Sequence, residues 1–202
     1  SIKSDGVINL FSDIKEEFSL FDPKFLDEVS KMKERNIAVE LLRKLIADQV
    51  SVYRRTNVVK SEKFSDIIQL TMNRYLNGML TNEEVIEELM RLAREIHNAK
   101  QEGDDLGLTP DEMAFYDALV KPQAIKDFYE NDELIAITKE LTDTLRKNKT
   151  IDWQGREGAR AKMRMLIRRL LKKHKYPPEG MDDAVQTVMT QCELWTDNVM
   201  ED

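Results

Sequence analysis

NIAVELLRKLIADQVSVYR, residues 36–54, settles what kind of chain this is. Ala38, Leu41, Leu42, Leu45, Ile46 and Val50 recur at steps of three and four, while Arg43, Lys44 and Asp48 fall elsewhere. A period near 3.6 gathers the apolar set on one face, so the stretch reads as an amphipathic helix with that face in a core. The same spacing returns through all 202 residues, strand-like alternation is hard to find, and seven Gly and five Pro interrupt little. The expected fold is all-α, an irregular bundle of about eight helices.

Working outward, FSDIIQLTMNRYLNGM (64–79) points Phe64, Ile67, Ile68, Tyr75, Leu76 and Met79 inward and stops at a loop containing Gly78. Thr81 followed by Glu84 has the form of a capping box, after which Val85, Ile86, Leu89, Leu92, Ala93 and Ile96 continue an inward face. KQEGDDLGLTPDEM (100–113) is the clearest break, since two glycines flank an acidic pair and Thr109, Pro110, Asp111 and Glu112 supply a cap, an N1 proline and early negative charge. Residues 101–108 are the expected joint between a subdomain at 1–100 and another at 109–202. Further helices are expected near 110–120, 131–147, 155–174 and 181–198, with Leu134, Ile137, Leu141 and Leu145 inward on the second of them. YPPEG (176–180) separates the last two, because tandem prolines do not continue a helix and Gly180 permits a turn.

A chain of this length buries roughly 70% of its unfolded surface without staples. Its one cysteine, Cys192, sits in VMTQCELW with neither metal-ligand spacing nor a nearby His, and is expected as a buried thiol in a reducing compartment. No apolar run approaches the roughly 20 residues that span a bilayer, and no signal peptide is present, so no membrane partner and a cytoplasmic setting are expected. The first residue is Ser, and SIKSDGVINLF enters an apolar pattern almost at once, as in a piece of a longer polypeptide. No Walker loop, Gly-x-Gly-x-x-Gly, His-Glu-x-x-His or Glu-x-Lys tripeptide occurs, and His97 and His174 lie far apart. Glu83, Glu84, Glu87 and Glu88 read as a solvated first turn favoured by the helix dipole. No catalytic, cofactor-binding or metal-binding residues are expected in this chain.

One segment stands out. REGARAKMRMLIRRLLKKHK (156–175) holds nine Lys or Arg and one Glu, a net +8 that leaves −15 for the other 182 residues of a chain of net charge −7. On a helical wheel Met163, Leu166, Ile167, Leu170 and Leu171 share one arc, and Arg164, Arg168, Arg169, Lys172 and Lys175 fall opposite. Like charges four apart repel by a few tenths of a kcal/mol per pair, a repeated cost that a partner would offset. Arg156, Arg160, Arg164, Arg168, Arg169, Lys172, Lys173 and Lys175 are the candidate docking residues. Three uses stay open: a solvated or internally paired face, a surface for an acidic protein, or a surface for nucleic-acid phosphates. Aromatic side chains for stacking on single-stranded bases are nearly absent within the segment. Trp153 joins the candidates as an interface anchor, its other reading being a pin for the helix entry that Asp152 caps.

Beyond periodicity, particular words carry a resemblance. Lys33-Glu34-Arg35-Asn36, Tyr75-Leu76-Asn77, LTPDEMAFYDAL (108–119), and Asp152-Trp153 leading into the basic helix and its Tyr-Pro-Pro stop are the most distinctive parts of a likeness that covers nearly the whole chain. The chain resembles the C-terminal helical region of the R (HsdR) subunit of type I restriction-modification enzymes. The resemblance implies a parent with a nuclease domain and two ATP-driven motor domains, for which ATP and Mg²⁺ are the cofactors. It further implies methyltransferase and specificity subunits as partners, DNA handled through the assembled complex, and a helical domain without a catalytic site of its own.

Overall fold

The computed structural model describes residues 22–122, 124–150 and 153–200, with residues 195–200 defined as helical backbone only. Among the described residues the chain is all-α and has no strand, as its apolar spacing requires. In chain order, α1 spans Pro23–Ser30, α2 Arg35–Thr56, α3 Val58–Leu76, α4 Asn82–Leu106, α5 Pro110–Val120, α6 Ile125–Phe128 and α7 Asn131–Asn148. A 3-10 turn at Trp153–Gly155 leads into α8, Glu157–Lys173, and α9, Pro178–Met200, follows. Two compact units emerge. One holds the described residues up to Gln49 with Phe64–Lys100, and the other holds Val50–Lys63 with the described residues from Gln101 onward.

In the first unit, Ala38, Leu41, Leu42 and Ile46 of α2 and Val85, Ile86, Leu89, Leu92, Ala93 and Ile96 of α4 are all buried. The Glu84 N–H donates to the Thr81 hydroxyl at 3.2 Å and the Thr81 N–H to the Glu84 carboxylate at 3.3 Å, so the capping box forms. The acidic first two turns of α4 do more than face water. Arg35 forks onto Glu83 at 2.9 and 2.7 Å, and Arg74 pairs with Glu88 at 3.1 Å.

Leu76 and Met79, expected inward, are 75% and 67% exposed. Leu76 lies one step past Tyr75 and so turns about 100° away from the inward row. Met79 follows Gly78, whose φ of 75° ends α3 as its successor donates back to the Arg74 carbonyl at 2.8 Å. α4 closes the same way at Gly107, φ 70°. The expected joint at 101–108 is thus helical as far as Leu106. Gly103 sits within α4, where a Cβ would meet the Leu108 carbonyl at 3.4 Å and Met113 at 3.6 Å, both ordinary contacts, so the glycine neither breaks the helix nor is required by the space.

In the second unit, α5 packs on α7 and α9, and α8 packs on both of these and on the 3-10 turn. Phe115, Leu119, Leu134, Ile137, Leu141, Leu145, Ile167, Leu171 and Val188 belong to one core. Cys192 is buried in it, and burial pushes the thiol up to about 12. The tandem prolines serve both neighbours, since Pro178 is the first residue of α9, where the missing N–H costs nothing, and Gly180 is helical instead of forming a turn. The four-residue α6 has no periodic signature in the sequence.

Asn57, the one non-helical residue between α2 and α3, is the polar centre of this unit. The Gln191 side chain accepts from the Val58 N–H at 2.9 Å and donates to the Thr56 carbonyl at 2.8 Å, so α9 satisfies backbone groups that the break leaves open. Asn57 accepts from the Lys60 N–H at 3.0 Å and donates its amide to Asp117 at 2.8 Å. The Lys60 ammonium lies 3.6 Å from Asp117 and 3.4 Å from Glu102. Burial holds the Asp117 carboxyl above the ordinary range, against the pull of Lys60 and Asn57.

Asp117→Ala strands the Lys60 ammonium and the Asn57 amide, and is expected to lower the unfolding free energy by about 2–4 kcal/mol. Urea denaturation measures this. A loss below about 0.5 kcal/mol would mean that the Glu102 contact alone suffices.

Candidate functional site

α8 buries Met163, Ile167, Leu170 and Leu171 and half-buries Leu166, which holds its opposite side to solvent. Its entry is set by the 3-10 turn. Trp153 is 1% exposed, the Arg160 guanidinium stands 5.9 Å from the indole centroid, and Arg160 pairs with Glu193 of α9 at 2.6 Å. The Gln154 amide donates to the Glu193 carbonyl at 3.0 Å. Trp153 therefore pins the entry, and its buried ring has no surface to offer a partner, which removes it from the docking residues. Asp152 and its capping role lie outside the described residues.

The exit of α8 repeats the cap seen after α3 and α4, with one change. The Tyr176 N–H donates to the Leu171 carbonyl at 2.9 Å and the Lys175 N–H to the Lys172 carbonyl at 3.0 Å, yet the left-handed position, φ 59°, is filled by Lys175 where the other two have glycine. A left-handed residue with a Cβ costs roughly 1–2 kcal/mol. The Tyr176 hydroxyl donates to the Leu119 carbonyl at 2.7 Å and the Tyr129 hydroxyl to the His174 carbonyl at 2.7 Å, tying this end to its own unit. Beside it opens a cleft of about 360 Å³ lined by Phe128, Tyr129, His174 and Lys175 among others.

The cations divide into two sets. Arg160 pairs with Glu193, Arg168 with Asp182 of α9 at 2.8 Å, and Lys173 with Glu140 of α7 at 2.6 Å. His174 shares Glu140, its Nε2 lying 2.6 Å from the second carboxylate oxygen. Arg156, Lys162, Arg164, Arg169, Lys172 and Lys175 are exposed and make no ion pair with any other described residue. The Arg168–Asp182 pair neutralises the middle of the row Arg164, Arg168, Lys172, relieving the four-step repulsion along it.

On the wheel, Arg160 and Arg168 mark the flank that faces α9 and Lys173 the flank that faces α7. Between these flanks lies an open arc holding Lys162, Met165, Arg169 and Lys172. Met165 is 53% exposed in the middle of that arc. Neither Met165 nor the three clamping acids is among the residues that the sequence singles out. Met165 was legible as an apolar residue on the polar side of the wheel. Glu140, Asp182 and Glu193 were not, because their proximity to α8 comes from the packing of α7 and α9.

Among the described residues no three His, Cys, Asp or Glu side chains are grouped as a metal ion would require. No helix there is long and apolar enough to cross a membrane.

The Lys173 and His174 hydrogen bonds hold the Glu140 carboxyl below the ordinary carboxylate range. A depressed native pKa gives stability that is present above the unfolded value of 4.5 and lost as pH falls through the native one. Thermal melts should therefore show wild type above Glu140→Gln at pH 6 and the two converging below pH 4; a gap that persists in acid would mean that packing, not charge, sets the brace. Lys175→Gly should raise stability by about 0.5–1 kcal/mol by relieving the left-handed residue, and a loss in urea denaturation would show that the lysine is held by contacts that offset its strain.

Compared with known proteins, residues 1–198 match the family described as type I restriction enzyme HindI endonuclease subunit-like, C-terminal. The chain is 36% identical over 196 residues to the type I restriction enzyme HindI endonuclease subunit of Haemophilus influenzae, covering 96% of this chain and 19% of that protein. It is 30% identical over 187 residues to a candidate type I restriction enzyme MjaIXP endonuclease subunit of Methanocaldococcus jannaschii, covering 91% and 17%. The chain thus spans about a fifth of the length of these relatives. No solved structure is significantly similar.

Proposed function

Because this chain belongs to the type I restriction enzyme HindI endonuclease subunit-like C-terminal family, we propose that it is the assembly region of an endonuclease subunit. In this reading it docks the motor-bearing polypeptide onto a methyltransferase and specificity core in the cytoplasm. The parent hydrolyses ATP with Mg²⁺, translocates DNA and cleaves it, using residues outside this chain. The α8 surface supplies the grip and performs no bond-breaking.

The observation that carries the reading is the state of the basic helix. Three of its cations are neutralised at the flanks, while six others are exposed and meet no acid among the described residues. The acids of α7 and α9 reach only the edges of α8, so the cations between them repel one another with no relief from the described residues of the unit. A surface kept cationic in an acidic chain favours docking over simple solvation.

Replacing Lys162, Arg169 and Lys172 together by Glu is expected to lower co-purification with the methyltransferase and specificity subunits by tenfold or more, with helical content by circular dichroism unchanged. Collapse of the helical signal would mean that the face is structural. If the chain is instead an independent nucleic-acid-binding module, the isolated protein should bind a 20-bp duplex with log affinity falling by about 0.9 per log unit of salt for each phosphate contacted.

A further inference from the structure

The open arc of α8 has a spacing of its own. Lys162, Met165, Arg169 and Lys172 follow steps of three, four and three, the rhythm at which one helix meets another along a seam. They lie within an arc of about 80° at 100° per residue. Along the axis they span about 15 Å at 1.5 Å per residue. Ala161, exposed beside them, adds no bulk that would hold a neighbouring backbone away.

We propose that this seam is the seat of an acidic helix from a partner protein, with an apolar side chain of that helix packed on Met165 and its carboxylates on Lys162, Arg169 and Lys172. The inference rests on the docking reading and names the partner's chemistry. Charge complementarity selects the occupant. Three cations that no described acid pairs lie on a narrow seam and match two or three carboxylates at helical spacing, and the exposed Met offers a soft, adaptable apolar contact between them.

Duplex DNA fits the same surface poorly. A duplex resting on α8 would press its phosphates against the flanks, where Asp182 leaves 89% of its side chain exposed and Glu140 and Glu193 stand near the surface. The chain as a whole is net −7, so its long-range field repels a polyanion. An acidic helix carries far less charge over a shorter footprint. It meets the seam between the flanking acids and buries Met165, which phosphate cannot do.

The test uses this chain in its native polypeptide, with the methyltransferase–specificity complex as the binding probe in biolayer interferometry and a 20-bp duplex as competitor. Met165 is exposed, so Met165→Asp and Met165→Leu should melt within about 2 °C of wild type. Met165→Asp is expected to weaken binding at least tenfold and Met165→Leu less than twofold, with the duplex failing to compete at the seam. In the bound complex, a photo-crosslinker placed at Met165 is expected to attach to an acidic helical segment of one partner subunit. Binding by wild type that Met165→Asp leaves within twofold overturns the seam and spares the docking reading. Competition by the duplex, with crosslinks to DNA, assigns the face to nucleic acid and overturns the helix. Absence of binding by wild type overturns the docking reading, and the seam falls with it.

Discussion

Burial of one side of α8 is the constraint from which the rest follows. Each of Met163, Ile167, Leu170 and Leu171 gains roughly 1.5–3 kcal/mol by leaving water, whereas repulsion between like charges four residues apart costs only a few tenths per pair. The hydrophobic term decides the rotation of the helix. Once that rotation is set, the cationic side chains have no choice of direction, and the acidic helices on either side can reach only those at the edges. The open arc is thus a by-product of packing that a partner can exploit.

A second constraint acts where α2 gives way to α3. A break between two helices beside a buried Asn57 leaves backbone groups that have to be satisfied, and Gln191 of α9 does so from 133 residues away in sequence. Asn57, Lys60, Asp117 and Glu102 surround the same point. A satisfied network of this kind is less forgiving than apolar packing, because removing one member leaves the others desolvated and alone. It binds Val50–Lys63 to the unit that carries α8.

Several local features were readable from residues alone. Thr81 with Glu84, Thr109 with Pro110 and Glu112, and the inward rows of α2, α4 and α7 all depend on contacts within four residues. The errors also have local causes. Leu76 still belongs to α3 but stands one step off the inward row, and Met79 lies past the helix end, where the 3.6 period no longer holds. Gly103 suggests a break, but a helix accepts a glycine at a cost of about 1 kcal/mol, and α4 runs through it. Pro177-Pro178 signals a stop, yet the second proline of the pair is also the first residue of the next helix.

Sequence by itself determined the all-α class, the family, and the existence of a helix with one apolar and one basic side, because periodicity and composition are properties of neighbouring residues. Only the tertiary structure decided which cations remain available, that Trp153 is sealed, and that Met165 stands in the open between them. Availability depends on which acid lies within a few ångströms, and Glu140, Asp182 and Glu193 reach α8 through the packing of α7 and α9. Coulombic pairing at short range is set by distance in space, which a linear pattern does not encode.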